Sequence, residues 1–150
     1  MSIETRLSVI NAETGLNETG RSEIVDFLFK NLGQYGDARE DIGKAIDHIL
    51  SPQSPGGGFI VLSYQYLAIS GAVVVNRTGM EGYIPENILV YIAVRRDLQG
   101  KGLGRVLMQK AIETADGSIA LHVEPENPAR HLYEKLGFES KYLEMRFIKK

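Results

Sequence analysis

The sequence predicts a single α/β domain whose elements follow the order βααβββαβαβ. The chain has 150 residues, a length that suits one hydrophobic core. Apolar residues make up 43% of the chain, which is enough to fold without disulfides. Segments with the two-residue period of strands alternate with segments of helical period, and no repeat, low-complexity tract or linker interrupts them.

The first half of the chain contains three predicted strands and two predicted helices. Strand residues alternate between apolar and polar, and helical residues repeat their apolar positions every three or four residues. An acidic first turn complements the dipole of the second helix. A loop rich in proline and glycine follows, and two strands then form a hairpin. The predicted ranges are strand Ile3–Ile10, helices Ser22–Leu32 and Asp37–Leu50, and strands Phe59–Tyr64 and Tyr66–Val75.

The second half begins with the strand that has the strongest apolar character, Ile88–Val94, which is apolar on both faces. Gly137 occupies the position of a left-handed cap at the end of the last helix. The alternation of the final residues predicts a closing strand. The remaining predicted ranges are helix Leu103–Ala115, strand Ser118–Val123, helix Pro128–Leu136 and strand Tyr142–Ile148.

Composition argues against several classes of function. The chain has 17 lysines and arginines and 19 aspartates and glutamates, a balance that argues against nucleic acid as the main partner. It has no cysteine, so cysteine nucleophiles and cysteine-ligated zinc are excluded. The N-terminal residues do not have the pattern of a secretory signal, and the longest apolar run is far below the ~20 residues of a membrane span. We therefore predict a cytoplasmic protein with no membrane partner.

The segment Gln99–Gly104 carries the strongest chemical signal, because glycines stand between a buried strand and a helix start. The first turn of a helix offers unpaired N–H groups and the positive end of a dipole, and glycines let a bulky anion approach. Lys101 and Arg105 add positive charge. The pattern suits a phosphate or pyrophosphate. An ordinary glycine-rich turn is the alternative; the dinucleotide fingerprint and the P-loop both fail to match.

Two blocks of the sequence resemble the GNAT superfamily of N-acetyltransferases. Gln99, Gly102 and Gly104 match the pattern Gln/Arg-x-x-Gly-x-Gly/Ala. A second block, Asn127–Phe138, resembles the family's Leu-Tyr-x-x-Leu-Gly-Phe helix. A helix and a strand separate the two blocks, as in the family. The resemblance implies a mixed, mostly antiparallel central sheet flanked by helices, with residues 1–150 forming one acetyltransferase domain.

The resemblance also implies roles for individual residues. Backbone atoms of the strand before the glycines would bind the pantetheine of acetyl-CoA, and the amides of the following loop would bind its pyrophosphate. Tyr133 matches a tyrosine that protonates the departing thiolate. Asn127 lies six residues before it, where the commonest family form has seven, so an N-cap role for Asn127 is an equal alternative. The predicted cofactor-binding residues are Ile92, Ala93, Val94, Gln99, Gly100, Lys101, Gly102, Leu103, Gly104, Arg105, Asn127 and Arg130.

A general base is harder to place, because the position where family members often carry glutamate is Ile88 here. Glu86 lies two residues earlier on the same strand face and is the candidate base; a solvated carboxylate is the alternative. His122, Glu124 and His131 lack a clear fourth ligand, so we predict no metal site.

The predicted function is transfer of an acetyl group from acetyl-CoA to a primary amine by direct attack in a ternary complex. The acceptor is a small-molecule or peptide amine, held by the first two helices and the connector near Tyr83, with Tyr35 and Tyr91 as further walls. Acidic residues there, among them Asp37, would attract a cationic amine, but charged residues are usual on helix surfaces, and the sequence favours a solvated surface. A non-catalytic CoA-binding module is the alternative function. The oligomeric state stays open, although homodimers are common in the resembled family.

Overall fold

Five strands form one sheet in the order β1-β2-β3-β4-β5, with helices on both faces. The computed structural model describes residues 5–53 and 56–150. The first three strand pairs are antiparallel, and β4 with β5 is parallel. The predicted α/β class and the mixed, mostly antiparallel sheet are confirmed. The elements are β1 (Arg6–Ile10), α1 (Glu18–Leu32), α2 (Arg39–Leu50), β2 (Gly58–Gln65), β3 (Ala68–Arg77), β4 (Asn87–Val94), α3 (Leu103–Thr114), β5 (Ile119–Leu121) and α4 (Ala129–Lys135), with short 3-10 turns at Gly33–Tyr35 and Arg96–Leu98.

Most predicted elements are present, and their boundaries differ for local reasons. Helix α1 begins four residues before the predicted Ser22, because the Asn17 side chain accepts the Gly20 N–H at 2.7 Å and caps the helix. Gly137 has a φ of 103°, so the left-handed cap after α4 is confirmed. The first two residues of the predicted strand Ile3–Ile10, Ile3 and Glu4, lie outside the described residues.

The sheet carries a hydrophobic layer on each face. Helices α1 and α2 bury Leu28 and Ile46 against one face, which includes Val74. Helix α3 buries Leu107 and Met108 against the other. None of the helices in the described ranges is long and apolar enough to cross a membrane.

Strand β4 contains a β-bulge at Val90. The consecutive β3 residues Val74 and Val75 pair with Tyr91 and Leu89, so one β4 residue has no partner. Val90 and Tyr91 both pack toward α1 and α2 although they are consecutive, whereas Leu89 packs toward α3. A bulge of this kind changes which residues of a strand face each neighbour. Beyond Val90, the backbone of β4 is therefore turned relative to its beginning.

The predicted final strand, Tyr142–Ile148, is wrong: these residues form no ladder with any strand in the described part of the chain. Alternation of apolar and polar residues is a local property, whereas a strand also needs the backbone of a neighbour to pair with. No backbone hydrogen bond among the described residues extends beyond Phe138. The segment, which we call the C-terminal tail (residues 139–150), has no regular secondary structure and is exposed.

Candidate active site

A cleft opens where β4 and β5 separate. The two strands pair only between Asn87–Leu89 and Ile119–Leu121, and then diverge. The resulting cavity has a volume of about 850 Å³. Its walls come from the end of α1, the second half of β4, the glycine loop, the residues after β5, and α4. We call it the cofactor cleft.

The closed end of the strand pair is fixed by two side chains. The buried Asn87 amide donates to the carbonyl oxygens of Asp116 and Ser118 at 2.9 and 3.2 Å. The Glu86 carboxylate accepts the N–H groups of Gly82 and Ser118 at 2.9 and 2.7 Å. These contacts hold β4 and β5 together on one side, so the pair can open only on the other.

The structure does not bring the predicted base Glu86 into the cleft. Its carboxylate is held by Gly82 and Ser118, and these backbone N–H groups lower its pKa. A Cβ on Gly117 would lie 2.4 Å from one of its oxygens, so the site around this carboxylate is closely fitted. Glu86 lies one residue before β4, and alternation could not show which amides surround its carboxylate.

Beyond the bulge, the backbone of Ile92 and Val94 faces the cofactor cleft. Arg95 donates its N–H to the carbonyl of Ser70 on β3 at 2.9 Å. Consecutive residues of a strand form their backbone hydrogen bonds on opposite sides. Ala93 therefore faces β3, as Arg95 does, and the backbone groups of Ile92 and Val94 face the side where β5 has left. All three of the predicted strand residues line the cleft. The sequence did not predict the bulge that turns these amides toward the open side.

The glycine loop presents unpaired amides at the start of α3. Gly100 and Gly102 have φ values of 78° and 87°, and a Cβ added to either would meet nothing within 4 Å. Gly102 is the N-cap residue and makes no side-chain cap bond, so the first-turn N–H groups have no capping partner. Val106 is the first helical residue whose N–H bonds back to the Gly102 carbonyl. This arrangement fits a phosphate group.

Not every residue predicted in this loop lines the cleft. Gln99, Gly100, Gly102, Gly104 and Arg105 do. Gln99 also donates its side-chain N–H to the Val94 carbonyl at 3.2 Å, which ties the loop to β4.

Three further predicted binders lie outside the cleft lining. Lys101 and Leu103 belong to the loop and the helix start but do not line the cavity, and Arg130 forms an ion pair with Glu134 at 3.6 Å. A cation absent from the prediction, Arg96, lines the cleft next to Gly33.

Tyr133 stands on α4 with its hydroxyl at the cleft. Its side chain is only 6% exposed, and burial raises the pKa of Tyr133 to about 12. The ring packs at 6.0 Å from the ring of Phe138. The hydroxyl has no hydrogen-bond partner among the described residues, and no side-chain polar atom there is both buried and unpaired. The hydroxyl therefore reaches the space of the cleft and keeps its proton at neutral pH.

Asn127 caps α4 and lines the cleft at the same time. Its side-chain oxygen accepts the N–H of Ala129 at 2.9 Å. That bond occupies the oxygen and leaves the amide N–H groups free for a bound molecule. The two roles considered for this residue are thus compatible.

A second cavity of about 410 Å³ adjoins the first across Tyr35, Val90 and His122, which line both. We call it the acceptor cleft, after the role that we propose for it. Asp37 lies on its wall and accepts the hydroxyl of the buried Tyr91 at 2.6 Å. Burial and this carboxylate both raise the pKa of Tyr91, so the hydroxyl stays a donor and fixes one oxygen of the aspartate.

The acceptor cleft has five other polar side chains: Gln34, His122, Glu124, Asn127 and Arg146. Tyr35 and Tyr91 form walls as predicted, whereas Tyr83 is 81% exposed and lines neither cavity. Arg146 had no signal in the sequence, because it comes from the tail that was predicted as a strand. Among residues 5–53 and 56–150, no group of three or more acidic or histidine side chains is arranged to hold a metal ion.

Comparison with known proteins identifies the family of the chain. Residues 55–140 match the sequence model of the acetyltransferase (GNAT) domain. No curated protein matches the chain in sequence comparison.

Solved structures share the fold across nearly the whole chain. Aminoglycoside N-acetyltransferase AAC(6')-Iy in complex with CoA has a TM-score of 0.71 at 13% identity, covering 100% of this chain and 97% of that chain. PH1933 from Pyrococcus horikoshii OT3 has a TM-score of 0.70 at 22% identity, covering 95% of this chain and 93% of that chain. Ribosomal-protein-alanine N-acetyltransferase from Brucella melitensis biovar Abortus 2308 has a TM-score of 0.62 at 15% identity, covering 97% of this chain and 100% of that chain.

A sheet that opens between two parallel strands, beside a glycine-lined helix start, places the chain in the structural class of these acetyltransferases. The family match covers more than half of the sequence. The chain belongs to the GNAT family of acetyltransferases.

Proposed function

We propose that this chain transfers the acetyl group of acetyl-CoA to a primary amine, with residues 1–150 acting as one acetyltransferase domain. The observation that carries the proposal is the arrangement along the cofactor cleft. Outward-facing amides of β4, an uncapped glycine loop and Tyr133 all line this one cavity. When bound there, acetyl-CoA supplies the activated acetyl thioester.

The binding residues divide by the part of the cofactor that they suit. Ile92, Ala93 and Val94 offer a strand edge to the amide-containing pantetheine, and Asn127 adds free N–H donors. The amides of Gly100 to Arg105 suit the pyrophosphate. Lys101 and Arg130, which lie outside the lining, would act by charge at longer range.

The amine acceptor belongs in the acceptor cleft. Asp37 is held by the Tyr91 hydroxyl, and Glu124 and His122 line the same cavity. Two carboxylates around a cavity of about 410 Å³ favour a cationic amine of modest size or the amino terminus of a peptide. Direct attack suits this geometry because the two cavities share lining residues.

Protons would be handled by residues at the boundary of the cavities. An amine with a pKa near ~10.4 must lose a proton before it attacks. The imidazole of His122 lines both cavities and is our candidate to accept that proton, directly or through water. The new carbon–nitrogen bond then replaces the carbon–sulfur bond, and Tyr133 gives its proton to the sulfur. The Val94 N–H can polarise the acyl carbonyl.

A non-catalytic CoA-binding module is the second candidate, and one observation favours it. The carboxylate predicted to act as base, Glu86, is held away from the cleft by backbone amides. The hydroxyl of Tyr133 counts against this candidate, because it opens into the cleft without a protein partner, where it can donate a proton that binding alone does not require.

Turnover of acetyl-CoA across a panel of amines tests the proposal. Polyamines, amino acids, aminoglycosides and peptides with free amino termini should be compared, with mass detection of the acetylated product. Transfer to at least one amine above the hydrolysis rate would support catalysis. CoA binding measured by calorimetry without any turnover would instead establish the binding module.

A further inference from the structure

The acceptor cleft carries charges of both signs. Asp37 and Glu124 are negative, and Arg146 is positive. The cavity has a volume of about 410 Å³, near the lower end of the ~300–1,000 Å³ that is typical of small-molecule sites. A small molecule bound there would therefore meet both signs of charge at once.

The charged side chains of this cleft are not paired with one another. Asp37 accepts the hydroxyl of Tyr91, and Arg146 pairs with Glu144 of its own tail. The Glu124 carboxylate has no hydrogen bond or ion pair within the part of the chain that the structure describes. Because these charges do not neutralise each other, they are available to a ligand.

The guanidinium of Arg146 has two hydrogen-bonding edges, and the protein uses one of them. Nε donates to a carboxylate oxygen of Glu144 at 2.8 Å, and Nη2 lies 2.7 Å from the same oxygen. The side chain has no other partner in the described ranges. The remaining edge, formed by Nη1 and Nη2, matches the two oxygens of a carboxylate. Glu144 does not line the cavity, and its contact fixes the orientation of the guanidinium.

An arginine in this wall does not suit an acceptor that carries positive charge alone. Like charges repel, and the repulsion grows when a ligand displaces water from a cavity. A diamine or polyamine would be held better by the carboxylates without the arginine. A molecule that carries an ammonium group and a carboxylate matches both signs of charge in the cleft.

We propose that the acceptor is an aminocarboxylate, a small amine that also carries a free carboxylate, as a free amino acid does. This inference rests on the proposed function and narrows its substrate. The ammonium group lies against Asp37 and Glu124, and the carboxylate accepts hydrogen bonds from the free edge of Arg146. After the ammonium has lost one proton, its nitrogen replaces sulfur on the acetyl carbon and gives up a second proton, and the sulfur leaves as the CoA thiol.

Pairs of probes that differ only by the carboxylate test the proposal. The standard amino acids are compared with the amines that remain when the α-carboxylate is removed, for example serine with ethanolamine and lysine with cadaverine. Binding to the CoA-loaded full chain is measured by calorimetry, and acetylation by mass detection. We expect at least one amino acid to bind about 10- to 100-fold more tightly than its decarboxylated amine, because a charge-assisted contact is gained.

Substitution of Arg146 should remove this preference. Its side chain is 63% exposed, so Arg146→Gln should leave the core intact. We expect the affinity for the amino acid to fall about 10- to 100-fold in this variant and the affinity for the decarboxylated amine to stay the same. Arg146→Lys keeps the charge without the two-pronged edge and should recover part of the preference.

Lys141→Gln is the matched control, because it removes one positive charge from the same tail and Lys141 lines neither cleft. It should keep the preference of the wild type. The proposal is overturned if no amino acid binds, if the decarboxylated amines bind as tightly, or if the preference survives Arg146→Gln. An equal loss in the Lys141→Gln variant would also overturn it, since the charge of the tail and not a contact would then be responsible.

The two measurements separate this inference from the proposed function. A CoA-loaded chain that binds an amino acid through Arg146 and acetylates nothing would support the aminocarboxylate site and overturn acetyl transfer. Acetylation of amines without any preference for a carboxylate would support acetyl transfer and overturn the aminocarboxylate site.

Discussion

The two clefts beside β4 are built from different parts of the chain. The cofactor cleft is made largely of backbone: strand amides after the bulge at Val90 and the loop Gln99–Arg105. The acceptor cleft is made of side chains on separate segments, with Asp37 before α2, His122 after β5 and Arg146 in the tail. Backbone groups recognise a fixed ligand whatever the side chains are, whereas a wall of side chains can change by substitution. This difference explains how one fold can keep its cofactor and vary its acceptor.

The largest expected effect comes from placing a charge in the backbone-built cleft. Gly102→Asp adds a carboxylate where a phosphate is expected, and it also strains a residue with a φ of 87°. We expect CoA affinity to fall by about 100-fold, measured by calorimetry. Gly15→Asp is the matched control, because Gly15 has a φ of 70° and open space around it. Equal loss in both variants would mean that strain alone, and not the anion site, explains the effect.

Removing one amide is the next largest change. Val94→Pro deletes an N–H that faces the cleft, while the ladder to β3 is made by its neighbours Ala93 and Arg95. We expect CoA affinity to fall by about 10- to 100-fold. Val94→Ile keeps the N–H and should bind CoA nearly as well as the wild type. If the folded proline variant binds CoA normally, the backbone of β4 is not part of the site.

The hydroxyl of Tyr133 tests chemistry separately from binding. Tyr133→Phe should lower kcat by about 10- to 100-fold, near the low end for a positioned acid, and leave CoA affinity within a few fold. Its pKa of about 12 keeps the proton in place, so the deficit should be constant between about pH 7 and about pH 9. Leu132→Met, on the same helix, should change little. Full kcat in the phenylalanine variant, with chemistry rate-limiting, would leave the ring with a packing role only.

Substitution in the acceptor cleft should change KM for the amine and not CoA affinity. Asp37→Asn should raise KM for a cationic amine by about 5- to 10-fold, because a charge-assisted contact is lost, and leave CoA affinity unchanged. Asp47→Asn is the control for net charge, since Asp47 pairs with Arg21 and lines neither cleft. An equal rise in KM for both variants would indicate that the net charge of the protein, and not a contact with Asp37, attracts the amine.

The smallest effect concerns the closed end of the strand pair. The backbone N–H groups around Glu86 lower the pKa of its carboxyl group. The ionised carboxylate therefore stabilises the fold above the ordinary glutamate pKa of about 4.3, and this stabilisation is lost as pH falls through the lowered pKa. Glu86→Gln should reduce Tm slightly at neutral pH, with a smaller difference from the wild type in acid, and should keep kcat. Thermal melts at several pH values and a turnover assay measure both. A large loss of kcat without a change in Tm would restore Glu86 as a catalytic residue.

The sequence predicted those parts of the site that depend on local chemistry. Glycines that need a positive φ, such as Gly102, and a tyrosine in a recognisable helix, Tyr133, carry their signals within a few residues. The fold class followed from periodicity in the same way.

The remaining features depend on contacts between distant segments. The bulge at Val90 exists only through pairing with β3, and the bond from Tyr91 to Asp37 joins residues that are 54 positions apart. The tail was predicted as a strand because it alternates, although alternation cannot supply a partner. Arg146 was missed for the same reason.

The bulge also has a consequence for hydrogen exchange. Ile92 and Val94 belong to a central strand, whose amides usually exchange with solvent only through large openings of the fold. Since β5 has left that side, their N–H groups meet the cleft and not a carbonyl, and they should exchange nearly as fast as surface amides. Binding of CoA would then slow two amides within an otherwise protected strand, which gives a residue-specific signal of occupancy that needs no amine acceptor and no turnover.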